Sequence, residues 1–182
     1  VTVETIIGLL WSTGMRIGEV LRVDTPDLDP ATGVLTVWLA KFGKSRLVPL
    51  APSTIAALDR YRRQLPSDLT TSAMFIGPDR RRVGYGRFNV TFSELLDSTG
   101  ITAAAGRRPR AHDLRHSFAV RTLLGWYRDG VDVQAMLPRL STYLGHVEPA
   151  STYWYFSAAP ELMALAAQRL EQDGADRAGA DR

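Results

Sequence analysis

Cysteine is absent from the chain, which excludes a disulfide scaffold, a thiolate metal site and a cysteine nucleophile. Lysine is almost absent: of 22 basic side chains only Lys41 and Lys44 are lysines, three positions apart, and the rest are arginines. Histidine occurs three times, at His112, His116 and His146, all in the C-terminal half. No apolar run reaches the roughly 18 residues that a membrane-spanning helix needs. No basic patch followed by an apolar stretch opens the chain, so neither a membrane span nor a signal peptide is expected. What remains is 182 residues, 45% of them hydrophobic, enough to bury one core. A single intracellular domain, cytoplasmic in location, is expected.

The formal charge of +3 is too small to argue for a nucleic-acid partner by itself. The clustering argues more strongly. Arg80, Arg81, Arg82 and Arg87 lie close together, and Arg107, Arg108 and Arg110 run up to two of the histidines. Arginine is the better fork for phosphate and lysine the better proton carrier. Arginine-rich usage also follows from a GC-rich genome, and composition leaves the two readings level.

Hydrophobic periodicity predicts a helix over 2–10, broken at Gly14 and restarted by Ile17, Val20 and Leu21. Asp24 to Gly33 is turn-rich. Val34–Leu39 and Arg46–Leu50 read as the two strands of a hairpin whose tip carries both lysines. Pro52 starts a helix to about Leu65, Met74–Ile76 reads as a short strand, and Gly77–Gly86 as a basic loop. Helices follow over Phe88–Leu96 and His112–Tyr127. Another starts near Asp132, is interrupted by Pro138 and closes at Gly145. Two more are expected over Thr152–Phe156 and Pro160–Gln172. The last residues, 173–182, repeat Gly-Ala-Asp-Arg without bulky side chains, and disorder is expected there. The pattern is α+β, mainly α-helical, with a small antiparallel sheet.

Four segments carry candidate chemistry. In Arg110-Ala111-His112-Asp113-Leu114-Arg115-His116, helical spacing places His112, Arg115 and His116 on one face. A zinc site of the His-x-x-x-His kind is disfavoured there, because an arginine on the same face repels a dication and only His146 could add a third ligand. An anion suits the face better: Arg115 forks it, and His112, near a helix N-terminus, stays neutral and accepts a proton. His116 reads as a histidine held inside the core. In the second segment His146 follows Gly145 just past a helix end, and Tyr155 comes nine residues later. A phenol of pKa about 10 becomes a nucleophile only when cations and a base surround it. Taken alone, Tyr155 and Tyr153 each read as buried aromatics. In the third segment Arg16 and Glu19 read equally as a surface ion pair. In the fourth, Lys41 reads alone as a solubilising turn residue.

Their order is more informative than any one of them. Thr13-Gly14-Met15-Arg16-Ile17-Gly18-Glu19 comes first. A hairpin with Lys41-Phe42-Gly43-Lys44-Ser45-Arg46-Leu47-Val48-Pro49-Leu50 follows. Then come His112-Asp113-Leu114-Arg115-His116, Leu144-Gly145-His146, and a tyrosine nine residues on. This series resembles the catalytic domain of the tyrosine recombinases, the phage integrase family, over roughly Val3 to Leu170. The wording of the hairpin and of Ser141-Thr142-Tyr143-Leu144-Gly145-His146 is similar to the transposon-borne branch.

The resemblance implies that fold, with a catalytic domain over 1–172. It also implies cleavage and rejoining of double-stranded DNA through a covalent phosphotyrosine. Arg16 and Arg115 would clamp the scissile phosphate, Lys41 would protonate the departing 5′ oxygen, and His112 would take the proton from tyrosine. His146 would hydrogen-bond the phosphate and Tyr155 would be the nucleophile. Lys41 is preferred to Lys44 because it directly follows the first strand, as the family's lysine does. Glu19 and His116 match supporting positions. Lys44, Arg46, Arg81, Arg82, Arg87, Arg107, Arg108 and Arg110 would contact DNA. No metal or nucleotide cofactor is implied, and partner protomers in a tetramer on DNA are. The family's N-terminal core-binding domain has no counterpart before Arg16, so weak DNA affinity is expected. The helix over 160–172 reads equally as docking on a neighbouring protomer or packing on its own domain. Rival readings are a type IB topoisomerase, a DNA-binding remnant without turnover, and a zinc hydrolase.

Overall fold

In the computed structural model the described residues are 1–40, 44–101 and 106–145, with Leu39, Ala40 and Lys44 described by their backbone. Two compact units divide the chain, Val1–Phe118 and Ala119–Arg182. The first begins with helix α1 (Thr2–Thr13), whose Ile6, Leu9 and Leu10 are buried. Gly14 ends it in the left-handed region at φ 62° and returns its N–H to the Leu10 carbonyl. This is how glycine closes a helix at no steric cost. A four-residue helix, α2 (Ile17–Val20), follows after Met15 and Arg16.

The turn-rich segment hides a strand that periodicity did not reveal. After a short 3-10 turn at Thr25–Asp27, β1 (Leu28–Asp29) pairs antiparallel with β2 (Val34–Ala40), which pairs antiparallel with β3 (Lys44–Pro49). The register sets Leu35 opposite Val48 and Val37 opposite Arg46, then shifts between Val37 and Ala40. Leu35, Val37 and Val48 alternate inward and are buried, while Trp38 and Leu47 face solvent. The hairpin expected from the sequence is therefore present, and its tip, residues 41–43 with Lys41, lies outside the described residues.

Gly33 joins β1 to β2 at φ +69°, and its carbonyl accepts the Leu50 N–H at 2.8 Å. A Cβ there would sit 2.9 Å from Ile55 Cδ1. Gly33→Ala should therefore destabilise the first unit by about 1–3 kcal/mol, from the positive φ and the contact together. Urea unfolding measures this, and an unchanged midpoint would refute it.

Helix α3 (Pro52–Arg63) starts with proline in its first turn and packs against α1. Its Tyr61 ring lies 5.7 Å from Phe75, and its hydroxyl accepts the Ile76 N–H. The strand expected at Met74–Ile76 is not formed. Ala73 bridges Asp24 and Ile76 bridges Arg82, each singly, because the segment is pinned by neighbouring loops rather than by a sheet edge. Helix α4 (Tyr85–Thr99) buries Phe88, Phe92 and Leu96. Helix α5 (Ala111–Arg128) opens at Arg110, whose N–H donates to the Asp113 carboxylate at 2.8 Å.

In the second unit α5 closes at Gly130, φ 72°, with the Val131 N–H returning to the Trp126 carbonyl. Helix α6 (Val133–Leu144) is capped by the Asp132 carboxylate and ends at Gly145, φ 69°. Pro138 does not interrupt it, contrary to expectation. The bond that its missing N–H would make falls on Gln134 in the first turn, an exposed position where the loss is small. The helices expected at 152–156 and 160–172, and the tail at 173–182, lie outside the described residues. Among the described residues no helix is long and apolar enough to cross a membrane.

Candidate active site

One turn, Gly14 to Glu19, organises the site. The Arg16 backbone is extended (φ −75°, ψ 142°), so the residue caps α2 rather than joining it. Its N–H donates to Glu19 Oε2 at 2.9 Å, and the Glu19 N–H returns to the Arg16 carbonyl at 2.9 Å. The Arg16 guanidinium then reaches Glu19 Oε1 through Nη1 at 3.0 Å. The pair read from sequence as a surface contact is thus half of a cap, and Glu19 is buried, with 2% of its side chain exposed.

A buried carboxylate needs more than one partner. Arg46 of β3 supplies a fork, Nη1 to Oε1 at 3.0 Å and Nη2 to Oε2 at 2.8 Å. Each Glu19 oxygen therefore accepts two hydrogen bonds. Burial alone would raise the Glu19 pKa. The Arg46 fork, the Arg16 backbone N–H, the Arg46 charge and the Arg16 guanidinium hydrogen bond outweigh it and lower it to about 2.

Arg115 comes from α5, 101 positions away in the chain from Gly14, and donates from Nη1 to the Gly14 carbonyl at 2.8 Å. It is the largest fully buried side chain among the described residues, 1% exposed. The left-handed turn at Gly14 thus closes α1 and aims the carbonyl that holds Arg115, two residues before Arg16. On the same helix His112 is exposed and His116 half-buried. The inward polar residue of α5 is therefore Arg115 more than His116. The His112 pKa is lowered from its ordinary value. Desolvation of the ring is the largest cause, followed by the charge of Arg115 and, more weakly, Arg110 and Arg16, against an opposing Asp113. Burial lowers that of His116, again against Asp113. Two guanidiniums and a neutral imidazole of this kind can hold an anion and accept a proton beside it.

Beside His112 opens a concavity of about 620 Å³, lined by Tyr85, Asn89 and Phe92 of α4 and by Arg108 and Arg110. The remaining arginines are placed unequally. Arg46, assigned to DNA from sequence, is instead turned inward onto Glu19. Arg82 donates to the Leu21 and Val23 carbonyls and pairs with Asp24, bracing the end of α2. Arg87 pairs with Asp79 at 3.4 Å, Arg108 with Asp97 at 2.8 Å and Arg110 with Asp113 at 3.4 Å, all in solvent. Arg81 and Arg107 are exposed. Sequence reading could not assign the Glu19–Arg46 and Arg82–Asp24 pairs, because their partners are 27 and 58 positions apart. Lys41, His146 and Tyr155 lie outside the described residues, and of Lys44 only the backbone is described. A zinc set would need His146. Among the described residues no three His, Asp or Glu side chains gather as metal ligands.

A mainly helical α+β domain with a three-stranded antiparallel sheet, its first turn joined to the His-x-x-Arg helix by Arg115, has the tyrosine-recombinase catalytic-domain fold. The chain belongs to the phage integrase family, whose model matches residues 1–161. It is 40% identical over 181 residues to the inferred integrase/recombinase y4rB of Sinorhizobium fredii, covering 97% of this chain and 58% of that protein. It is 33% identical over 158 residues to the tyrosine recombinase XerD of Mycobacterium tuberculosis, covering 84% of this chain and 46% of XerD. The chain thus spans about half the length of these relatives. Among solved structures it superposes on the XerA recombinase with TM-score 0.72 at 24% identity, over 92% of this chain and 56% of that one. On the Tn1549 transposon integrase in complex with circular intermediate DNA the TM-score is 0.68 at 19% identity, over 91% and 59%.

Proposed function

We propose that this chain is the catalytic part of a site-specific DNA recombinase of integrase or transposase type. It cleaves and rejoins strands of duplex DNA through a covalent 3′-phosphotyrosine. The observation that carries this reading is the meeting of Arg16 and Arg115 at one turn. Arg115 is anchored on the Gly14 carbonyl, Arg16 is capped by Glu19, and both charges act on His112. Two guanidiniums fixed in this way suit the charge that gathers on the non-bridging oxygens during an in-line displacement.

In this reading Tyr155 attacks the phosphorus, and His112 takes the phenolic proton. Arg16 and Arg115 neutralise the pentavalent transition state, with His146 as a further donor to the phosphate. Lys41 gives a proton to the leaving 5′ oxygen, which a mobile ammonium can do and a guanidinium of pKa above about 12 cannot. The phosphotyrosine conserves the energy of the broken phosphodiester, so a 5′ hydroxyl of a partner strand reseals it without cofactor. Lys44, Arg81, Arg87, Arg107, Arg108 and Arg110 contribute to a salt-sensitive DNA surface. Arg46 is turned onto Glu19, and Arg82 braces the Leu21 and Val23 carbonyls instead. The whole protein works in the bacterial cytoplasm as a set of protomers on two duplexes. That the Tn1549 transposon integrase was solved in complex with circular intermediate DNA supports the substrate class.

A binding-site screen followed by a nicked suicide duplex tests the reading, with a covalent adduct on a denaturing gel as the positive result. Because His112 must be neutral to accept the proton, activity should be present above its folded pKa and fall as pH drops through it. The acid limb of the cleavage rate should therefore have its midpoint below the ordinary value of 6.5. His112→Asn should remove that limb. A midpoint above 6.5 would exclude His112 as the base.

A further inference from the structure

We infer that Arg46 is a positioning residue for Arg16. It acts through Glu19 and keeps the first arginine oriented and net positive while tying it to the hairpin that carries Lys41. The inference rests on the reading proposed above.

The stoichiometry of charge leads to it. A lone Arg16–Glu19 pair is neutral and would present no net attraction to a phosphate. With Arg46 in place the three side chains carry one net positive charge, and the carboxylate is shared. Arg46 takes both Glu19 oxygens at 3.0 and 2.8 Å, leaving each oxygen one further bond, one to the Arg16 guanidinium and one to its backbone N–H. Glu19 thereby fixes both the backbone and the side chain of Arg16 without surrendering its whole charge to it. The side chain of Arg46 is 12% exposed and that of Arg16 is 29% exposed, so Arg16 faces the outside of the cluster and Arg46 backs it from within.

The covalent frame gives a second reason. Arg46 lies on β3 opposite Val37 of β2, and Lys41 lies between those two strands in the chain. A bidentate fork permits little rotation, so it fixes the α2 turn against β3. The base of the hairpin and the Arg16 turn are thus held as one piece. A lysine at position 46 would keep the charge and lose the fork.

Charge and fork are separable by experiment on the 182-residue chain, with the nicked duplex from the binding screen as probe. Arg46→Lys should keep DNA affinity within about twofold while the cleavage rate falls at least about tenfold, the order expected for a small misplacement of a reacting group. Arg46→Met should lose both. The double variant Glu19→Gln/Arg46→Met, which removes the buried ion pair and keeps the cluster at one net positive charge, should fold and still cleave slowly. Losses from Arg46→Lys and Arg16→Lys should not multiply, because the first acts through the second. Exchange of the Arg16 backbone N–H proton, which donates to Glu19 Oε2, followed by 15N NMR without DNA, should accelerate about tenfold in Arg46→Lys. Wild-type cleavage by Arg46→Lys, multiplicative losses, or unchanged Arg16 exchange would each overturn the inference. A wild-type chain that forms no adduct would instead count against the proposed function, and the exchange measurement then decides the inference alone.

Discussion

Tyr155→Phe should abolish the covalent protein–DNA adduct, and Tyr153→Phe should leave it. The two phenols are two positions apart in the chain. Only Tyr155 stands nine residues after His146. Phenylalanine keeps the ring and removes only the oxygen that would bond to phosphorus. A loss confined to this variant is then a loss of chemistry and not of fold. The fall should exceed about a thousandfold, because no second nucleophile substitutes for a missing one. The measurement is a denaturing gel of the nicked duplex after incubation with each variant, with binding checked separately by mobility shift. An adduct that persists in Tyr155→Phe would sink the assignment. One that vanishes in Tyr153→Phe alone would move it by two residues.

Protonating Glu19 should carry the second-largest effect, and it is a stability effect. The folded pKa is lowered to about 2 from an ordinary 4.5. A depressed carboxyl stabilises the fold fully above its unfolded pKa and loses that contribution as pH falls through its folded one. The window therefore runs from about pH 4.5 down to about pH 2. The difference corresponds to roughly 3 kcal/mol. Because the side chain is 2% exposed, solvent screens little of it. Urea unfolding from pH 5 to pH 2 should show wild-type stability dropping by this amount more than Glu19→Gln. At pH 7 Glu19→Gln should be less stable than wild type by about 3 kcal/mol, since it leaves Arg16 and Arg46 facing each other without a counter-charge. Parallel wild-type and Glu19→Gln curves across that range would show that the clamp contributes nothing.

The two predictions draw on different sources. The Tyr155 assignment comes from the resemblance of the ordered motifs to the family, in which the nucleophile stands at this spacing. Glu19 beside Arg16 could be read as a supporting position, but its energetic weight comes from Arg46, and no sequence pattern pairs a helix cap with a residue 27 positions later on a strand. The arginine clusters show the same division. Read as a basic face, Arg82, Arg87, Arg108 and Arg110 belong together. In the fold Arg82 braces two backbone carbonyls, while the others pair with carboxylates in solvent, where exchange with phosphate costs little.

Local patterns determined a good deal of the architecture. Glycines at 14, 33, 130 and 145 mark turns with positive φ, Pro52 starts a helix, and the apolar run Val34–Leu39 gives the central strand. Where neighbours outside the local window took over, the pattern failed. The two-residue strand β1 is too short to show alternation, Met74–Ile76 is pinned by single bridges, and Pro138 loses its bond where the loss is small.

By itself, then, the sequence determined which residue types stand in which order: the arginines, the His-x-x-Arg helix, and the tyrosine nine residues after His146. Only tertiary structure decided which of the charged side chains are buried and what holds them. A buried arginine reaching back 101 positions to the Gly14 carbonyl, and a carboxylate shared between Arg16 and Arg46, are contacts whose distance in space bears no relation to distance along the chain. They form because burying a charge without a partner costs several kcal/mol, so folding selects the arrangement in which each buried charge finds one.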